Sequence, residues 1–570
     1  MTGPAAHLVV GSGAAAAAVA RTLARRPDQL VTVLDLGGRL EDERRAAVDR
    51  MSRREEEAWD PADLALVTAR GDARGGRVPQ KRSYGSAYPF RDLGQVTGVV
   101  GRPADTNREV VSSAYGGFTT VWGAQLMPFA RSTVDRWPVR WAELEPHYRA
   151  VLQEVPLAAE TDDLAELYPL IHPTSGLPPL GPRAEAVLAR YDRHRAALRA
   201  RGVTVGRARL AFRAAACTRC GLCMTGCPHQ LIYSAAQTMD AVRRLPNVRY
   251  LDGLLVESVR QEGATVVARA RDLRTGTHHE FRADRLFLAA GALGTTRLVL
   301  GSLPTPPPVV LALESRQFVV PLLSTRPVGD RRRPGGRTFT LNQFNVLFSF
   351  DEEGHDSAHL HCYPHNPAVT DGLPWPLRHR AASPVTDQVL RRLTVAFGYL
   401  PSWASPGIRV RPGQRSAGGL PELHLDAPAQ RQQPPMVRAV LRRLLRAAPA
   451  LDLWPALSSV TVSGAAKSYH VGGTFPHRAG SVPDGGPAGT DRWGRLTAWD
   501  RVHLVDGAVL PSIAATTFTL TVMANAQRIA TEVLEGRAPT AGADQRTERM
   551  RATLTAPSTV TRPASPNSTS

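Results

Sequence analysis

The stretch that most constrains the fold is the first thirty-five residues. An apolar run, His7-Leu8-Val9-Val10, breaks into Gly11-Ser12-Gly13-Ala14-Ala15-Ala16 and continues as an alanine-rich helix to about Arg26. A second apolar run, Leu30-Val31-Thr32-Val33-Leu34, closes on Asp35. Strand, glycine turn, helix and a second strand ending on an acid are the parts of a dinucleotide-binding βαβ half. Gly11 permits the tight turn. Gly13 lets backbone N–H groups approach a pyrophosphate, whose charge the helix N-terminus offsets. Ala16 takes the place of the third glycine, and Asp35 is placed to accept ribose hydroxyls. An α/β fold with Gly11, Gly13, Ala16 and Asp35 on a dinucleotide follows as the expectation.

A chain of 570 residues with 43% hydrophobic composition has room for two or three domains with substantial cores. Its net charge of +19 would ordinarily point to nucleic acid. Only Lys81 and Lys467 are lysines, however, and the arginines are scattered rather than interleaved with aromatics along one element. The charge therefore reads as a solvated surface, with no nucleic-acid partner expected. No stretch has the length of a membrane span and no signal peptide is read before the first strand, so a soluble cytoplasmic protein is expected.

Further along, Ser112-Ser113-Ala114-Tyr115-Gly116-Gly117-Phe118-Thr119-Thr120-Val121-Trp122-Gly123 sets paired glycines beside hydroxyls, as suits a loop lying against a planar cofactor. Trp137-Pro138 to Tyr148, Val256-Glu257-Ser258-Val259 and Arg285 to Thr296 follow. The C-terminal block is His470-Val471-Gly472-Gly473-Thr474, Gly494-Arg495, Val502 to Pro511 and a closing helix from Thr519 to Ala530. This order, from residue 7 to about 535, resembles the glucose-methanol-choline flavoprotein oxidoreductases, in particular the cholesterol-oxidase-like bacterial branch with a cysteine-rich loop.

The resemblance implies a Rossmann-type FAD-binding domain, discontinuous in sequence at 1–310 and 456–538. An inserted α+β substrate domain at 311–455, containing an antiparallel sheet, interrupts it. It implies FAD contacts at Gly116, Gly117, Val256, Gly291, Asp506 and Gly507. Relatives that attach the flavin covalently use a histidine where this chain has Val121, so non-covalent FAD is expected.

Oxidising an alcohol requires a base beside the hydride acceptor, and imidazole suits that role near neutrality. His470, before a Gly-Gly pair, is the candidate base. Where the family places a second His or Asn, this chain has Thr517, which can hydrogen-bond the substrate oxygen but is a poor base. Asn525, well into the closing helix, is an outside candidate. The expected reaction is oxidation of a CH–OH group of a sugar, polyol or hydroxylated natural product to a carbonyl. Alternatives are an oxygen-using oxidase of the same family, or a flavin/iron–sulfur electron-transfer protein without alcohol chemistry.

Cys217-Thr218-Arg219-Cys220-Gly221-Leu222-Cys223-Met224-Thr225-Gly226-Cys227-Pro228 departs from an ordinary member of that family. Its C-x2-C-x2-C-x3-C-P spacing, within the loop 215–230, is the run bacterial ferredoxins use for iron–sulfur clusters. A three-iron cluster, a four-iron cluster completed by Cys362, zinc and reduced structural thiols are the readings open at this point. A cluster would send electrons to a redox partner protein or a quinone. His355, His359, His361 and His365 read either as a metal group or as alternate polar positions on a strand facing a wet pocket. Met436 to Ala448 reads as a basic amphipathic helix on a domain surface. The Ala, Thr, Ser, Pro and Arg-rich tail at 539–570 reads as disordered.

Overall fold

The structure is a computed structural model. It describes residues 5–69, 81–91, 99–101, 110–328, 339–364, 383–415, 419–427, 433–479 and 488–538. The tail beyond 538 and His365 lie outside the described residues.

Each apolar run named above is a strand of one sheet. Its order is Val502–Leu504, Arg285–Leu288, Ala5–Val10, Gln29–Leu34 and Val248–Leu251, every pairing parallel. Parallel strands are covered on both faces, which is why they read as continuous hydrophobic runs. Val9 points into the core that holds the first helix, Ala14–Ala24, while Leu8 and Val10 point into the opposite one. That helix buries Ala15, Ala16, Ala17, Val19, Ala20 and Leu23. Its small side chains let it pack closely between the sheet and the helices Thr519–Leu534 and Ala235–Val242. On the other face lies a three-stranded antiparallel sheet of Leu254–Glu262, Thr265–Asp272 and His278–Ala283, with the helix Ala292–Ser302 beside it.

A larger antiparallel sheet has seven strands. Trp454–Pro455, Gln317–Leu323, Leu393–Tyr399, Ser357–Tyr363, Phe344–Ser349 and Val203–Arg207 lie in that order, with Thr461–Val462 also on Gln317–Leu323. Two of its strands come from outside 311–455. Val203–Arg207 joins because Val203 and Val205 alternate into the same core as Val346 and Phe348. That core holds Phe318, Val320, Leu322, Leu360, Cys362 and Ala396 and is covered by the helices Pro182–Arg199 and Pro435–Leu451. The latter is the basic amphipathic helix read from sequence. It buries Val437, Val440, Leu441, Leu444, Ala447, Ala448 and Leu451 and turns Arg438, Arg442 and Arg446 to solvent. The opposite face of the sheet carries His359, His361, Tyr399 and Asn345, because strand side chains alternate.

A fourth sheet, in the order Val471–Gly472, Val310–Glu314, Ile408–Arg415, Pro421–Asp426 and Val99–Gly101, ties the segment after His470 to the rest. Among the described residues no helix is long and apolar enough to cross a membrane.

Candidate active site

Open α/β sheets bind ligands beyond the carboxyl ends of their strands. Four adjacent parallel strands here end on site residues. Val10 is followed by Gly11, Leu34 by Asp35, Leu288 by the turn to Gly291, and Leu504 by the turn to Asp506 and Gly507. Gly11 has φ 105°, and a Cβ there would lie 2.5 Å from the Ala289 carbonyl oxygen, so only glycine lets the turn touch the neighbouring strand's exit. Gly13 caps the first helix with no side chain bonded to its first turn, which leaves those N–H groups for an anion. Asp35 is buried and accepts from Tyr250 Oη at 2.8 Å and the Gly37 N–H at 3.1 Å. Burial pushes its pKa up. The Ser12 hydroxyl and the Leu36 N–H also act on this carboxylate, which fixes it at the end of the second strand.

The second glycine loop lies on the first. Gly116 N–H donates to Ser12 Oγ at 3.0 Å, and a Cβ on Gly117 would meet Gly13 Cα at 3.1 Å. Val256 is buried on the strand that leaves Asp35 through a hydrogen bond from the Leu254 N–H to the Asp35 carbonyl, and a bulge follows it at Glu257. Asp506 is a clasp. Its carboxylate takes the Thr295 hydroxyl at 2.5 Å, the Ala508 N–H at 2.9 Å and the Gly291 N–H, and burial pushes it up to about 6. The buried backbone of Ala16, the paired glycines and the uncapped helix start fit a dinucleotide.

His470 is delivered by a strained segment. Ala466 and Tyr469 have φ 63° and 59°, a left-handed conformation that costs about 1–3 kcal/mol per residue and persists only when surroundings enforce it. The enforcement is visible: the Ser315 N–H donates to the His470 carbonyl at 3.0 Å, and the His470 N–H donates to Ser468 Oγ at 3.1 Å. Ser468 in turn donates to Glu314, which is buried with Arg316 at 3.0 Å. Burial raises Glu314 to about 6 even with that cation beside it. The His470 ring stacks on Tyr399 at 4.8 Å and meets Phe518 edge-on at 5.1 Å. Its Nδ1 is buried without a partner, and burial pushes the imidazole down to about 4, so it is neutral at pH 7 and free to take a proton.

Thr517, buried with Oγ1 unpartnered, precedes the Phe518 that packs on both His470 and Gly507. The Gly473 N–H donates to the Gly507 carbonyl at 2.8 Å, so the His470 segment lies directly on the turn beyond the parallel sheet. The structure thus brings the expected base, the threonine and the glycine turns together. Asn525 is committed elsewhere, to His477 at 3.0 Å and Arg528 at 2.9 Å.

A row of rings extends from His470. Tyr399 contacts His361 at 4.9 Å, His361 contacts His359 at 4.8 Å, and His359 stacks on Tyr168 at 5.9 Å. Both nitrogens of His359 and Nε2 of His361 are buried and unpartnered. His355 departs from the row and stacks on Trp403 at 4.0 Å. Among the described residues no three His, Cys, Asp or Glu side chains converge as ligands of a single metal ion would.

Sequence reasoning missed Tyr399 and Phe518, whose places depend on packing between distant segments. It also missed the Glu314–Arg316 pair, although two charges inside the apolar run Val309 to Leu323 are a legible signal of a buried polar task.

No protein-family model and no curated protein matches the chain. Solved structures do. Pyridoxine 4-oxidase from Mesorbium loti superposes with TM-score 0.57 at 17% identity, covering 93% of this chain and 99% of that one. An Aspergillus oryzae formate oxidase, carrying a mutation studied for its effect on FAD modification, gives 0.57 at 12% identity, covering 95% and 100%. The α/β fold expected from the glucose-methanol-choline resemblance is borne out, and the chain shares it end to end with these two oxidases.

Proposed function

We propose that the chain is an FAD-dependent oxidoreductase that converts a CH–OH group to a carbonyl, with His470 as base. The observation that carries this is His470 itself: a neutral, partnerless imidazole fixed over the turn at the end of a dinucleotide-type sheet. Gly11, Gly13, Asp35, Gly116, Gly117, Val256, Gly291, Asp506 and Gly507 would hold the FAD, non-covalently, with Val121 where a covalent link would need a histidine. Bound there, the flavin supplies a hydride acceptor. His470 takes the hydroxyl proton, Thr517 Oγ1 orients the hydroxyl, and the aromatic walls Tyr399 and Phe518 exclude water.

The substrate is a hydroxyl-rich molecule such as a sugar, polyol or hydroxylated natural product. Buried imidazole nitrogens need hydrogen-bond partners, and His359 and His361 present them in a row leading to His470. The free thiols favour a cytoplasmic enzyme, and the cysteine loop favours a redox partner protein or quinone as acceptor. Oxygen is the second reading, favoured by the oxidase names of both structural neighbours.

Acid precipitation should release the flavin into the supernatant. Flavin that stays with the pellet contradicts non-covalent binding. Turnover of a polyol panel with a dye acceptor in the absence of oxygen, without matching oxygen consumption in air, supports the dehydrogenase; oxygen consumption at the rate of turnover supports the oxidase.

A further inference from the structure

The cysteine run turns backbone N–H groups toward its sulfurs, while burial favours the protonated form of the Cys217, Cys220 and Cys227 thiols. The Arg219 N–H acts on Cys217, the Leu222 N–H on Cys220, and those of His229 and Leu231 on Cys227, each favouring the charged sulfur. Cys223 receives the Thr340 N–H at 3.4 Å, from a different segment of the chain. Turning these N–H groups inward takes left-handed backbone at Arg219, Gly221, Gly226 and Gln230. Such N–H···S bonds stabilise thiolate charge and set the potential of iron–sulfur centres. The thiols lie close enough to act on one another: Cys217, Cys220 and Cys227 each feel Cys223, and Cys227 also feels Cys217.

The alternatives narrow. Cys362 is fully buried on the far face of the antiparallel sheet, among Phe344, Leu360 and Ala396, and is no fourth ligand. A single zinc ion needs sulfurs at about 2.3 Å, hence within about 4 Å of each other. No three ligands among the described residues converge in that way. A multi-iron cluster spaces its thiolates farther apart.

Lys81 supplies an independent observation. It is one of two lysines in the chain and is half-buried, with Nζ donating to the Trp122 carbonyl and no carboxylate pairing with it among the described residues. The ionisable side chain that acts on it is Cys223. A cation held away from water costs free energy unless an anion faces it. Its neighbour Tyr84 clamps the same loop, with Oη donating to the Cys227 carbonyl at 2.9 Å and its ring filling the space beside Gly226.

We propose that Cys217, Cys220, Cys223 and Cys227 bind one four-iron cluster, with Lys81 as the cation that offsets its charge. Trp122, to which Lys81 donates, lies in the loop whose Gly116 and Gly117 rest on the dinucleotide turn, so one loop connects the cysteine run to the flavin site. The cluster's role, resting on the alcohol-oxidising reading, is to pass the two electrons of each oxidation singly to an external acceptor: a one-electron redox protein, with the two protons going to solvent, or a quinone, which takes up two electrons and two protons to become the quinol.

The test is iron and acid-labile sulfide per FAD in full-length protein purified without oxygen, followed by electron paramagnetic resonance after reduction with dithionite. About four of each are expected, lost in Cys220→Ser with FAD retained. Lys81→Met should keep the iron and move the cluster midpoint to more negative values, since a cation favours the reduced, more anionic state; an unmoved midpoint removes Lys81 from this role. Protein with FAD that has no iron and takes none up from ferrous iron and sulfide, or that carries zinc, overturns the cluster. FAD content and anaerobic flavin reduction by alcohols are read in the same samples, so failure of the cluster is distinct from failure of the alcohol chemistry.

Discussion

At the scale of single residues, the site depends on groups that cannot be exchanged for near equivalents. A Cβ on Gly472 would fall 2.3 Å from the Gly507 carbonyl oxygen, backbone against backbone. Gly472→Ala must therefore move the His470 segment off the turn, and overpacking of this kind costs about 1–3 kcal/mol. The expected result is folded protein with a lowered melting temperature and activity reduced by at least tenfold, read by thermal melting and turnover.

Thr517→Val removes an unpartnered buried hydroxyl, so stability should change little while the substrate's KM rises or kcat falls. A Thr517→Val enzyme with unchanged kinetics would remove Thr517 from the site. Because burial holds His470 at about 4, its neutral form dominates through pH 5 to 8. The profile of kcat/KM should be flat there and fall only as pH approaches about 4, a limb absent if another group is the base.

At the scale of elements, stability and function separate. The helix Pro435–Leu451 packs on the helix Pro182–Arg199 and holds the antiparallel sheet from behind through Val437, Val440 and Leu444. Leu444→Ala should cost about 2–5 kcal/mol and leave FAD content intact in the folded fraction, measured by denaturant titration.

Legibility also differs by element. The strands Ala5–Val10 and Gln29–Leu34 could be read directly from their apolar runs, and Gly11 to Asp35 carried their own turn chemistry, whereas the edge strand Val248–Leu251, part-exposed and interrupted by Arg249, could not. Val203–Arg207 could not be assigned to the antiparallel sheet. It is an edge strand of five residues, and its partners at Phe344 to Phe348 lie far along the chain. His359 and His361 were legible as an alternating face. Their task was not, because it arises only when that face is set against Tyr399 and His470.

At the scale of the whole molecule, buried neutral histidines make stability depend on pH. Burial pushes His359, His477 and His503 down to about 3. The unfolded chain titrates them near 6.5, so between about 6.5 and 3 it binds more protons than the folded one. Their contribution is intact above about pH 6.5 and declines as pH falls toward 3. Melting temperature should therefore fall steadily from pH 6.5 to 4, and a curve flat over that range would contradict the burial of these imidazoles.

The two halves of the site belong to different layers. The dinucleotide turns lie on the parallel sheet, and the ring row lies on the antiparallel sheet, with His470 and Phe518 at the junction.

That junction is where the central claim is tested. The direct measurement is the rate of flavin reduction on anaerobic mixing with an alcohol that wild-type protein oxidises, compared in wild type and His470→Ala with equal FAD content. Loss of a positioned general base predicts a fall of about 10²–10⁴-fold. Reduction at the wild-type rate in His470→Ala would contradict the account.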